Sequence, residues 1–348
     1  MKLRNIISVL FLMLSISSLA SAQLQLNGAG ATFPAVIYSK WFDEYKNMTG
    51  VQFNYQAIGS GGGIKQVTEG TVDFGASDGP MNDKQLEEAK SKRGTNILHI
   101  PTVMGAVVVA YNASGVSSGL NLDGTILADI YLGKITKWND AAIKKLNPKF
   151  NLPNSAIVVA HRSDGSGTSF IFTDYLSKVS KEWETKVGKG TSVNWPVGLG
   201  GKGNDGVAGL IKQTEGSLGY VELAYAVQNK ISTAKLKNKT GNFVEASFES
   251  VSAAAEGAAK NMPSDLRVSI TDPDGKNSYP ISGFTWLLIY QNMKDETKAG
   301  ALVKFLKWAM GKGQSFATEL YYAPLPKAVV KMCEKNIATI TVNGKKIK

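Results

Sequence analysis

The chain has 348 residues, with 39 Lys plus Arg against 28 Asp plus Glu, two His and one Cys, for a net charge of +11. At roughly 150 residues per domain that is room for two domains, and 43% apolar with 19% charged residues excludes disorder as the main state. The lone Cys333 closes no intramolecular disulfide and builds no multi-thiolate metal site.

The positive charge does not point to nucleic acid. Only Arg4, Arg93, Arg162 and Arg267 are arginine, and the lysines are scattered, whereas readers of bases and phosphates concentrate Arg and interleave aromatics with basic clusters. A solvated basic surface with no nucleic-acid partner is the reading adopted.

The first 22 residues read as an export signal. Lys2 and Arg4 form a basic start, Ile6 to Ala20 an apolar run, and Ala20-Ser21-Ala22 a small-residue cleavage site. The run falls short of the roughly 20 residues that cross a bilayer. Cleavage after Ala22 takes two cations with it, from +11 to +9, and delivers a soluble chain to a bacterial periplasm.

In the remainder, short apolar strands alternate with helical patterns. A helix is expected over Val36 to Asn47, with Tyr38, Trp41, Phe42 and Tyr45 at core spacing. A strand at Val51 to Tyr55 precedes a helix from about Gly62, and one at Phe74 to Ser77 precedes a helix over Lys84 to Lys92. Val103 to Tyr111 reads as a buried strand, as does Ile157 to His161 before a helix from Thr168 to Val179. Phe284 to Tyr290 and a helix over Thr297 to Met310 close the pattern. Such alternation marks an α/β chain with mixed, mainly parallel sheets. The return to buried strand near Pro280 fits two domains joined by more than one crossing.

Three loops that open onto helices carry the chemistry: Gly28-Ala29-Gly30-Ala31-Thr32-Phe33-Pro34, Gly59-Ser60-Gly61-Gly62-Gly63 and Arg162-Ser163-Asp164-Gly165-Ser166-Gly167-Thr168-Ser169. A helix amino terminus offers about four unpaired amides and roughly half a positive charge. Gly, Ser and Thr are also what ordinary caps and turns use, so a single loop says little. Three of one chemistry, one led by a scarce arginine, point to a tetrahedral oxyanion. Asp78, at the end of Phe74-Gly75-Ala76-Ser77-Asp78, reads first as a turn cap when taken alone. Beside a bound oxyanion, a carboxylate is repulsive unless the ligand brings a proton, so Asp78 would admit phosphate and reject sulfate.

These strings, with Ile130-Tyr131-Leu132-Gly133-Lys134-Ile135 and Trp195-Pro196-Val197-Gly198-Leu199-Gly200-Gly201-Lys202-Gly203-Asn204-Asp205-Gly206, resemble the periplasmic phosphate-binding proteins of bacterial ABC phosphate importers, the PstS type. The resemblance implies a two-lobed periplasmic binding protein fold (type II), with the ligand in the cleft, no catalysis and no cofactor. The lobes expected are residues 23–104 plus 283–348 and residues 105–282. It also implies a monomer that delivers inorganic phosphate to the subunits of a membrane permease. Carried onto matching positions, Ala31, Thr32 and Phe33 bind through the first helix start, Ser60 by amide and hydroxyl, and Asp78 accepts the ligand's proton. Arg162 supplies the cationic fork, Asp164 holds that arginine, and Ser166, Gly167 and Thr168 bind through the third helix start. Gly61 and His161 depart from the family pattern, where serine and arginine are frequent.

Rival readings are a binding protein for another tetrahedral oxyanion and a phosphomonoesterase with Ser60, Ser166 or Thr168 as nucleophile. The latter needs a base or metal; His161 is the only base near the third loop, and no carboxylate cluster is evident for a metal. Gly198 to Gly203 satisfies G-x-G-x-x-G, but it follows Trp195-Pro196 without a clear strand, and no helix-plus-acid continuation is expected, so it reads as a lobe-surface or cleft loop in which Lys202 would help to attract the anion. His99 and Cys333 read as packed side chains.

Overall fold

The computed structural model describes residues 23–347; the export signal expected over residues 1–22 lies outside them. Nine strands form the main sheet: β1 (Gln25–Gly30), β2 (Gln52–Ala57), β3 (Phe74–Ser77), β4 (Ile97–Asn112), β5 (Val158–Arg162), β6 (Leu199–Gly201), β7 (Ser217–Glu222), β8 (Ser232–Thr233) and β9 (Ser282–Tyr290). Their order is β2-β1-β3-β9-β4-β7-β5-β6, with β8 also on β4. Pairing is parallel in both wings, β1 with β2 and β3, β5 with β6 and β7. It is antiparallel in the centre, where β4 meets β9 and β7 and β9 meets β3.

The central strand is longer than its apolar core Val103 to Tyr111 suggests, with 16 residues. Its first part, Ile97 to Ala106, pairs with β9, and its second, Val107 to Asn112, pairs with β7. The chain therefore passes from one group of strands to another between Ala106 and Val107. It returns through Ile281, whose carbonyl accepts from the Val107 N–H at 2.8 Å. Buried on nearly every residue, β4 and β9 read as continuous apolar runs, as strands covered on both faces do.

Helices cover both groups. The first, α1 (Ala35–Thr49), buries Tyr38, Trp41, Phe42 and Tyr45 as their spacing requires and ends at Gly50 in the left-handed region. Phe42 stacks on Phe53 with centroids 4.8 Å apart, and Phe305 lies 4.5 Å from Phe53. Next come α2 (Ser60–Glu69) and α3 (Asp83–Arg93), the latter opened by an Asn82/Gln85 capping box. Across the divide stand α4 (Gly124–Tyr131), α5 (Gly167–Val179), α6 (Gly203–Gln213) and the short α7 (Leu223–Gln228). Their aromatic packing centres on Phe172 stacked on Tyr220 at 4.3 Å and on Tyr131. The last two, α8 (Glu296–Met310) and α9 (Lys327–Ile337), pack back on the first group, and Cys333 is buried with its thiol directed at the Pro101 carbonyl. Among the described residues no helix is long and apolar enough to cross a membrane.

Candidate anion-binding site

The first loop leaves β1 at Gly30 and enters α1 through Pro34. Three tyrosine hydroxyls donate to three consecutive carbonyls of this loop. Tyr55 Oη reaches Ala31 O at 2.7 Å, Tyr225 Oη reaches Thr32 O at 2.6 Å, and Tyr322 Oη reaches Phe33 O at 2.7 Å. With the carbonyls tied outward, the alternate N–H groups of the turn face the other way. Those of Thr32 and Phe33 have no acceptor among the described residues, and both residues are buried. Ala31 differs: its N–H donates to Ala76 O at 3.0 Å, so this residue shapes the loop while its neighbours present the free donors.

The third loop leaves β5 at Arg162. Strand alternation turns Arg162 inward and His161 to the other face, where its ring stacks on Trp195 at 4.9 Å and its Nδ1 lies 3.0 Å from Arg162 O. The Arg162 guanidinium, 1% exposed, is clasped by Asp164 through Nε to Oδ1 at 2.7 Å and Nη2 to Oδ2 at 2.5 Å. Its Nη1 donates to Thr168 Oγ1 at 3.3 Å. Burial raises the Asp164 carboxyl, but hydrogen bonds and charge from Arg162 outweigh it and hold the group below its ordinary value. Ser166 caps α5 by accepting from Ser169 N at 3.0 Å. The Thr168 N–H has no acceptor among the described residues.

Ser60 is the first residue of α2, two positions ahead of the expected start, and joins the loops. Its hydroxyl accepts from Gly167 N at 3.0 Å and from Asp78 N at 3.2 Å, while its own N–H has no acceptor among the described residues. Gly167 is required by this approach: a Cβ there would lie 2.5 Å from Ser60 Oγ and 2.6 Å from the Asp78 backbone nitrogen. At Gly61 the N–H donates to Gly165 O at 2.8 Å, and a Cβ would stand 3.0 Å from the Gly165 Cα. A serine in its place would hold the two loops slightly apart.

Asp78 is 1% exposed and closes this ring. Thr285 Oγ1, from β9, donates to its Oδ1 at 2.7 Å. Burial pushes the carboxyl from 3.8 up to about 7, against the opposing pull of Thr285, the Arg162 charge and Ser60. It is a carboxyl poised near neutrality among hydrogen-bond donors.

The G-x-G-x-x-G stretch differs from expectation. Leu199 to Gly201 form β6, parallel to β5, and α6 follows at once, so a fourth helix start enters the site. The Gly203 N–H donates to Asp164 Oδ1 at 3.0 Å. Asn204, fully buried, donates from Nδ2 to Thr32 Oγ1 at 2.9 Å and to Thr168 Oγ1 at 3.1 Å. It thereby joins the first and third loops. Sequence reasoning missed it, along with Thr285 and the three tyrosines; the Gly-Asn-Asp-Gly after the glycines was the available signal. Lys202 is exposed at this helix start.

His99 lies elsewhere, buried, with Nε2 accepting from Met81 N at 3.0 Å; burial and then the Arg267 charge push it down to about 3. Among the described residues no group of three or more His, Cys, Asp or Glu side chains is placed to hold a metal ion.

A sequence model described as a PBP superfamily domain matches residues 17–312. The phosphate-binding protein PstS of Xylella fastidiosa is 47% identical over 312 residues, 89% of this chain and 84% of its own. That of Pasteurella multocida is 45% identical over 324 residues, 93% of this chain and 92% of its own. The chain belongs to the PstS family. A solved phosphate-binding protein from Stenotrophomonas maltophilia has the same fold, with a TM-score of 0.66 at 22% identity over 89% of this chain and 93% of that one. The fold is the two-lobed architecture of the periplasmic binding proteins. In this PstS-family chain, the residues named from the resemblance lie together: Thr32, Arg162 and Thr168 share one hydrogen-bonded network with Asp164 and Asn204, Ser60, Asp78 and Gly167 share a second, the two meet at the Gly167–Thr168 peptide, and Phe33 and Ser166 adjoin them in sequence.

Proposed function

We propose that this protein binds inorganic phosphate in the cleft between its lobes and delivers it to the permease of an ABC phosphate importer. The lobes are residues 23–104 with 283–348 and residues 105–282. The binding residues are Thr32, Phe33, Ser60, Asp78, Arg162, Ser166, Gly167 and Thr168, with Ala31 shaping the first loop and Asp164 orienting Arg162. The observation that carries the reading is the buried Asp78 carboxyl set among free amides, hydroxyls and one guanidinium. With Asp78 ionised, only an anion that brings its own proton satisfies every partner there. The names of the Xylella and Pasteurella relatives, phosphate-binding protein PstS, agree with it.

The protein works as a monomer without metal or cofactor, in the periplasm, after removal of residues 1–22. No bond of phosphate is broken: the His161 ring, the base nearest the third loop in sequence, is stacked on Trp195. Ligand contacts from both lobes favour the closed form by their differential free energy. Equilibrium dialysis with labelled phosphate, run beside an ester hydrolysis assay, tests this. One phosphate retained per chain without turnover supports it; turnover without retention contradicts it. Solution scattering is expected to show compaction at saturating phosphate.

A further inference from the structure

Glu222 ends β7 opposite Val107, at the point where β4 passes between the lobes, and is completely buried. Its Oε2 accepts from Ala224 N at 2.9 Å and lies 3.2 Å from Tyr322 Oη. Its Oε1 is buried with no hydrogen-bond partner among the described residues. Its ionisable surroundings are Asp78 from the bend after β3, Tyr322 from the segment before α9, and Tyr225 from α7. None of these is a cation. Burial, with the Asp78 charge adding to it, pushes the carboxyl well above its ordinary range.

A count of protons then fixes the donors. Tyr322 has one hydroxyl proton and two oxygen neighbours, Phe33 O at 2.7 Å and Glu222 Oε2 at 3.2 Å. A carbonyl only accepts, so the phenol proton that holds Phe33 is unavailable to Glu222. The second contact is a hydrogen bond when the carboxyl itself donates. An ionised Glu222 would instead draw the phenol proton to itself, because charged acceptors make the stronger bonds, and release the Phe33 carbonyl.

We propose that Glu222 is a positioning residue: it carries a proton, donates it to Tyr322 Oη, and so directs the Tyr322 hydroxyl onto the Phe33 carbonyl that sets the first anion-binding loop. The relay runs from one lobe, through Tyr322, to the loop of the other, and is complete when the lobes are closed. It rests on the phosphate-site reading above.

The test uses the mature chain, Glu222→Gln, Glu222→Leu and Tyr322→Phe, and two readouts. Tyr322 and Ala224 share one carboxyl oxygen, so glutamine with its amide nitrogen there keeps the donor toward Tyr322, gives up the acceptor for Ala224 and cannot ionise; leucine has neither. Calorimetry with inorganic phosphate at about pH 7 is expected to place E222Q within about threefold of the parent and to show E222L weaker by about tenfold or more, the effect of a lost buried hydrogen bond. In the Y322F background the E222L change is expected to weaken binding less than it does in the parent, leaving only the loss of the Ala224 acceptor. Infrared spectra of the ligand-free protein at about pH 8, where ordinary carboxyls are ionised, are expected to show a protonated-carboxyl stretch that shifts in heavy water and is absent from E222Q. Equal weakening of E222Q and E222L, an undiminished E222L effect in Y322F, or no such band overturns the proposal. Failure of the parent to bind phosphate would overturn the site reading instead, leaving the infrared band to report the Glu222 proton independently.

Discussion

Asp164 grips Arg162 by two of the three guanidinium nitrogens, Nε at 2.7 Å and Nη2 at 2.5 Å, and leaves Nη1 directed at the helix start that holds Thr168. The planar fork is thereby fixed in orientation before any ligand arrives, which lowers the ordering cost of binding. The carboxylate also offsets the charge of a side chain that is nearly out of contact with water.

Replacing Arg162 by alanine is therefore expected to weaken phosphate binding by about 3 to 5 kcal/mol, since the anion and Asp164 both lose their partner in a buried site. Calorimetry on a variant whose circular dichroism matches the parent measures this. An affinity within twofold of the parent would place Arg162 outside the site.

Asp78 sets the choice of anion. In Asp78→Asn the amide donates as well as accepts, so sulfate is expected to compete better for the site than in the parent. Competition dialysis measures the ratio of the two affinities, and an unchanged ratio would remove Asp78 from the specificity account.

The same residue makes the ligand-free protein sensitive to pH. Its carboxyl binds a proton more tightly folded, at about 7, than its ordinary 3.8. The folded state then holds more protons than the unfolded one across that window, so the Asp78 contribution to stability is full below about 4 and is lost as pH rises through about 7. Urea unfolding at several pH values is expected to show this decline in the parent and a smaller one in Asp78→Asn. Identical slopes would contradict the assignment.

Gly167→Ala tests how closely the two lobes meet. The added methyl would fall on Ser60 Oγ and the Asp78 backbone, and overpacking of this kind costs about 1 to 3 kcal/mol. The loss is expected in phosphate affinity, because the crowding is between elements that come together on closure. Parent-like affinity would mean that Ser60 and Gly167 do not meet in the bound form.

Asn204→Ala is expected to weaken phosphate binding by about 1 to 3 kcal/mol, as two buried hydroxyls, Thr32 and Thr168, lose a shared donor. Unaltered binding in a folded variant would make Asn204 a bystander.

Much of this was legible in the chain. The spacing of Tyr38, Trp41, Phe42 and Tyr45 gave the buried face of α1, and Ser166 before Gly167 and Thr168 marked the start of α5, because caps and helical periods are local signals. The fourth helix start was hidden by its strand, which is three residues long with two of them glycine and leaves no apolar pattern to read. Tyr225 and Tyr322 reach the first loop from 193 and 289 positions away, and Thr285 reaches Asp78 from 207. Such partners follow from the path of the sheet and from no local spacing. Only the order of strands around β4 and β9 brings them together.

The central claim is that a buried carboxyl among free donors selects a protonated tetrahedral anion. Titration of the mature chain with phosphate and then with sulfate in the same calorimeter tests it most directly. The account predicts one phosphate per chain with micromolar or tighter affinity, about 8 kcal/mol or more, and sulfate weaker by several orders of magnitude. Equal affinities for the two anions, or no binding of phosphate, would contradict it.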